Sequence, residues 1–189
     1  IAAVQKAADA GLWGVKFYTS MNPEWIAPAA AEAHRLGLNV LGHVPATMRP
    51  LEAVRAGYDE VTNLNFIIMQ ALPQEVVDVS NTAARFEGPA QYAKDVDLDG
   101  PVMTEFVAEL KQRGIWVDPT IMIFEGFFLN DEPQLPPAIV PYEGTLPPVL
   151  ERGLKTGGYP LFDDVTRDDF RKSYEKMVAL IGKLNEAEV

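Results

Sequence analysis

The chain contains no cysteine and only two histidines, His34 and His43. The missing thiols exclude disulfides and thiolate chemistry, so a metal ion would have to be held by imidazole, carboxylate or a modified side chain. Positive charge is also scarce: 16 Lys and Arg stand against 27 Asp and Glu, a formal net charge of -11. Nucleic acids and anionic membrane surfaces are gripped by clustered Lys and Arg, and no such cluster occurs, so neither is expected as a partner. No apolar run approaches the roughly 20 residues of a membrane span. The N-terminus also lacks the basic region and apolar stretch of a leader. The chain therefore reads as soluble, with no targeting segment of its own and its compartment open.

What is present is ordinary for a globular domain: 189 residues, 48% hydrophobic and 23% charged, enough to bury a sizeable core as a single domain. The organising stretch is Gly37-Leu38-Asn39-Val40-Leu41-Gly42-His43-Val44-Pro45, an apolar run that reads as a buried strand delivering His43 to its end. An alanine-rich helix tail, Glu32-Ala33-His34-Arg35-Leu36, precedes it. The same phrase recurs as Ala10-Gly11 leading into Gly14-Val15-Lys16-Phe17-Tyr18, as Ala56-Gly57 leading into Glu60-Val61-Thr62-Asn63, and as Arg113-Gly114 leading into Ile115-Trp116-Val117-Asp118. Each is a helix tail, a glycine suited to a left-handed C-cap, and a short apolar run ending on a polar side chain. Strands that alternate with helices imply parallel pairing, and functional groups gather at the carboxyl ends of such strands. Those ends are Lys16, His43, Asn63 and Asp118.

In order, Ile1 to Ala10 reads as the end of an amphipathic helix. Asn22-Pro23-Glu24 starts a second helix running to Leu36, with a cap, a first-turn proline and an acid near the positive helix end. A short helix covers Leu51 to Ala56, and Pro101 to Arg113 carries apolar residues at helical spacing. Two insertions are expected, near residues 66–99 as a loop with short helical pieces and near 119–164 as a proline-rich lid. Phe124, Phe127 and Phe128 read as core, His34 as a satisfied core histidine hydrogen-bonded between helix and sheet, and Asp118 as a turn residue. A last helix, capped at Thr166, runs to Leu184.

The segments Val15-Lys16-Phe17-Tyr18, Ala33-His34-Arg35-Leu36-Gly37, Gly42-His43-Val44-Pro45 and Ala56 to Asn63 resemble the imidazolonepropionase-like and dipeptidase-like branch of the amidohydrolase superfamily, most clearly over Ile1 to about Asn65. The resemblance implies an α/β fold of parallel (β/α) units, half of a TIM-like (β/α)₈ metal-dependent hydrolase barrel corresponding to strands four to seven. A whole barrel takes about 250 residues and eight strands.

The resemblance further implies a divalent metal, expected to be zinc, with Lys16 taking up carbon dioxide as a metal-bridging carbamate and His43 giving an imidazole nitrogen. Asn63 stands where the family places a third ligand, a histidine, and an amide oxygen is the weaker zinc ligand. Tyr18 is expected to touch the reacting group alongside Lys16, and Tyr18 and Asn65 to contact a small-molecule or dipeptide substrate carrying an amide, peptide or cyclic amide bond. Because two protein ligands fall short of the three or four a zinc site takes, weak or absent metal is expected in this chain alone. Two other readings stand beside this one: a Schiff-base enzyme built on Lys16, and an inactive half-barrel scaffold. Four strands of a barrel leave two edges and an inner face uncovered, with Val15, Phe17, Val40, Leu41, Val61, Val117 and the aromatic residues of the lid expected to be exposed, so the chain is expected to be a homo-oligomer.

Overall fold

A computed structural model describes residues 1–189. Four strands, β1 (Gly14–Phe17), β2 (Asn39–Gly42), β3 (Glu60–Thr62) and β4 (Trp116–Asp118), pair in parallel in the order β1-β2-β3-β4. Ten helices accompany them: α1 (Ala2–Asp9), α2 (Ile26–Arg35), α3 (Pro50–Arg55), α4 (Leu64–Ile68), α5 (Gln74–Asp78), α6 (Ala84–Tyr92), α7 (Pro101–Arg113), α8 (Ile121–Phe128), α9 (Pro148–Leu154) and α10 (Arg167–Glu186). The fold is α/β. No helix is long and apolar enough to cross a membrane.

The four helix-to-strand joints turn on Gly11, Gly37, Gly57 and Gly114, whose φ values lie between +65° and +113°, a region that side chains with a Cβ enter at a cost. The expected caps form as well. Asn22 accepts from the Glu24 amide at 2.9 Å, and Thr166 and Asp169 make a capping box at the start of α10.

Register decides which residues face the helices. Val15 pairs with Val40, Phe17 with Gly42, Gly42 with Val61, and Val61 with Val117. Side chains alternate along a strand, so this row shares one face. Phe17, Val40 and Val61 are buried there in one core with Ala29, Ala30 and Ala33 of α2, Ala53 and Val54 of α3, and Phe106 and Leu110 of α7. Burying each large aliphatic or aromatic side chain contributes about 1.5–3 kcal/mol. The opposite row is Lys16, Leu41, Glu60 and Trp116. Here Lys16 is exposed, Leu41 and Glu60 are half-buried, and Trp116 is 75% exposed.

The expectation that Phe17, Val40 and Val61 would line an uncovered face is therefore corrected. They are the helix-covered residues, and the uncovered face carries Lys16, Leu41, Glu60 and Trp116. Sequential strand order with right-handed crossovers sends successive helices to one side of a sheet, which is why one face is packed and the other is not. The edge strand β1 is also flanked by a cavity of about 710 Å³, lined by Val4, Ala7, Leu12, Val15, Trp25 and Ala29 among others.

The segment 66–99 is more ordered than an inserted loop. Leu64, Phe66, Ile67, Ile68 and Met69 are buried, and α4 and α6 pack against α10. Ser173 ties α10 to the end of α6, its hydroxyl donating to Ala90 O at 2.8 Å and accepting from Lys94 N at 3.2 Å. Phe124 and Phe128 of α8 are buried in the same core, which agrees with their reading as core and corrects the expectation that the lid aromatics would be exposed. These helices form a cap where β3 and β4 finish.

Candidate functional site

The strand ends meet under this cap. Extending the register one residue beyond Phe17–Gly42–Val61 sets Tyr18, His43 and Thr62 side by side, and Thr62 pairs with Asp118. This row lies on the same face as Lys16, two residues back along β1. The ring of Tyr18 is 4.6 Å from that of His43, and Phe66 of α4 lies 4.8 Å away on the imidazole. Lys16 Nζ stands 5.8 Å from the Tyr18 ring centroid. Lys16, Tyr18 and His43, singled out from sequence, are thus brought together.

His43 is held from behind by Tyr58, whose hydroxyl donates to the His43 carbonyl at 2.8 Å. Its Nδ1 is buried without a hydrogen-bond partner. Burial pushes the imidazole pKa down to about 4, and the nearby positive charges of Lys16 and Arg85 push the same way, with the Asn63 amide acting weakly against them. At neutral pH the ring is uncharged and its nitrogens can donate or accept. Asn63 is close enough to the ring to act on its pKa, and Nδ1 nonetheless keeps no hydrogen-bond partner.

Three more unpartnered polar atoms lie at the strand ends: Thr62 Oγ1, Asn65 Oδ1 and Thr120 Oγ1. Thr62 is 2% exposed and Asn65 1%. A buried polar atom without a partner costs about 1–3 kcal/mol, so a group of them is informative. The backbone is strained at the same place: Asn63 has φ +72° and Thr120 φ +42°, and a β-branched residue in the left-handed region is an outlier.

Asn65 is turned inward, its amide nitrogen donating to Arg85 O at 3.0 Å, so it ties α4 to the first turn of α6, which carries Arg85. The Arg85 guanidinium lies 4.9 Å from the Phe86 ring centroid and makes no ion pair. Glu60, one row back, has its carboxyl pKa raised, first by burial and then by the charge of Asp118, with Lys16 opposing. Asp118 is exposed and its Oδ1 accepts from Thr120 N at 3.2 Å, the turn role expected of it. His34 Nε2 lies 2.9 Å from Asp59 Oδ2, which also accepts from Val40 N at 2.7 Å. That link sits at the amino end of β3, opposite His43, and joins helix to sheet as expected, but the His34 side chain is exposed, so the expectation of a core histidine is corrected.

No group of three or more His, Cys, Asp or Glu side chains is gathered to hold a metal ion. A zinc site takes three or four ligands. Here the donors are one neutral imidazole with a free nitrogen, a lysine that coordinates only once carboxylated, and an amide, so these residues by themselves do not complete such a site. The Schiff-base reading calls for a desolvated amine, and Lys16 is exposed.

Arg85, Thr62, Thr120 and Phe66 were not singled out from sequence. Thr62 was in view as the neighbour of Asn63 at a strand end, whereas Arg85 reaches the site only through the folding of α4 and α6. No protein-family model matches the chain, and no curated protein or solved structure matches it either.

Proposed function

We propose that this chain forms four consecutive βα units of a (β/α)₈ barrel of the amidohydrolase kind, with its site at the carboxyl ends of the strands. The observation that carries the reading is the placement of Lys16, Tyr18 and His43 together on the sheet face opposite the one packed by α2, α3 and α7, the face that becomes the interior when such a sheet closes. The bare β1 edge and the cavity beside it are where a preceding unit would pack.

In this reading the substrate is a small molecule with an amide or peptide bond. A divalent metal, zinc in the family resembled, would polarise that bond and activate water. His43, and Lys16 once carboxylated, are its ligands from this chain, and what closes the bare face supplies the rest. The chain's own residues do the remaining work. His43 stays neutral at the working pH, Tyr18 lies within reach of the reacting group, and Asn65 steadies Arg85. The unpaired, half-buried Arg85 suits a substrate carboxylate, which a guanidinium can grip through two parallel hydrogen bonds.

Cobalt(II) titration monitored by absorption tests this reading. The unaltered chain is expected to bind cobalt weakly. Asn63→His, beside His43, is expected to raise the affinity at least about tenfold, one good ligand being worth about 1.4 kcal/mol or more. Asn65→His, with its side chain facing Arg85, is expected to leave it unchanged. Equal responses of the two variants would overturn the assignment.

A further inference from the structure

We propose a second binding site, for a small primary ammonium compound with an apolar body, in the cleft between α8, α9 and the turn at 136–139. The cleft has a volume of about 520 Å³, within the range of small-molecule sites. Its walls are apolar, from Met122, Ile123, Phe127, Pro136, Ile139 and Leu154. Only two polar side chains line it, Glu125 and Asn130, and both offer acceptors.

Asn130 is 3% exposed. Its Nδ2 donates to Leu154 O at 2.9 Å, which fixes the amide orientation and leaves Oδ1 buried without a partner. Glu125 accepts from the Ala138 amide through Oε2 at 2.9 Å. That bond occupies one carboxylate oxygen and leaves the other free, and no Lys, Arg or His pairs with the carboxylate. A carboxylate and an orphaned amide oxygen in an apolar cleft are complementary to a group that donates several hydrogen bonds and carries positive charge. An ammonium has three donors and no acceptor. A neutral hydroxyl could satisfy one of these acceptors, and an anion would be repelled by Glu125. The site lies in the insertion after β4, and nothing in it depends on the amidohydrolase reading.

The test uses 2-phenylethylammonium as probe, with 2-phenylethanol as its neutral isostere, by calorimetry and amide chemical shifts of the full chain. The cation is expected to bind saturably at millimolar concentration and to shift the amides of the lining residues Gly126, Gly153 and Gly157. The alcohol is expected to bind at least about tenfold more weakly. Glu125→Gln keeps an acceptor for the Ala138 amide, so it is expected to fold and to erase that preference. Gly153→Leu adds a side chain where a Cβ meets nothing within 4 Å, and in a helix leucine is favoured over glycine. This variant is expected to melt no lower than the parent while losing the probe. Equal binding of cation and alcohol, or binding unchanged in a folded Gly153→Leu, would overturn the proposal. So would an absence of shifts at concentrations well above the millimolar range.

Discussion

Tyr18 lies against His43 with ring centroids 4.6 Å apart and planes inclined at 50°. That packing, with Phe66 beyond it, shields part of the imidazole from water and leaves its pKa at about 4, with Lys16 and Arg85 adding to the effect. The unfolded chain takes up a proton on His43 from about pH 6.5 downward, and the folded chain only near pH 4. The unfolded state therefore binds more protons between these values. Stability from this group is complete above about pH 6.5 and is lost as pH falls to about 4. Because the ring is half-exposed, the loss is expected to be on the order of 1 kcal/mol. Urea melts at about pH 7 and about pH 4.5 check it: His43→Phe, which keeps the ring packing, should show the smaller drop. An equal drop in both proteins would remove His43 as the cause.

Gly42 sits at φ +133°, and a Cβ built there would fall 2.2 Å from Phe17 O and 2.8 Å from Phe17 N. The β1 backbone cannot retreat without breaking its pairing with β2. Gly42→Ala is expected to cost roughly 3–5 kcal/mol, the upper end for a single substitution, and to separate Tyr18 from His43. Chemical denaturation gives the cost. A loss under about 1 kcal/mol would mean that the two strands are less tightly apposed.

Arg49 fastens the segment that carries Phe66. One guanidinium nitrogen, Nη1, donates to Met69 O at 2.9 Å, Gln70 O at 2.9 Å and Leu72 O at 3.1 Å. Arg49→Ala leaves these carbonyls without their donor and is expected to destabilise the fold by about 2–3 kcal/mol. Faster hydrogen exchange over residues 64–72 should accompany the loss, and unchanged exchange there would show that α4 is held by its core contacts alone.

Much of this fold is legible in the amino-acid sequence. The four glycines mark their joints because a left-handed C-cap is a local requirement. Asn22 and Thr166 cap their helices for the same local reason. Lys16 and His43 meet because parallel register carries strand-end residues to one end. Which face of the sheet is covered is not local. It follows from the hand of the crossovers, so Phe17, Val40 and Val61 were expected on the uncovered face and Trp116 was not. Thr62 and Thr120 carry no sequence signal of their own. Their hydroxyls matter because the cap buries them without partners, and Arg85 arrives through the path of α6 rather than by any spacing along the chain.

If the chain is four units of a barrel, as proposed, the face bearing Lys16, Leu41, Glu60 and Trp116 is an unfinished interior. Trp116, at 75% exposure, is its largest apolar group, and it pairs in register with Glu60, so Trp116→Lys places a cation where a carboxylate can receive it. Light scattering coupled to gel filtration, at micromolar concentration, measures the outcome directly. The 189-residue chain is expected to elute at the mass of a dimer or larger assembly, and Trp116→Lys at the mass of a folded monomer. A monodisperse parent monomer that unfolds cooperatively would contradict the claim and make the open face the finished surface of a complete fold.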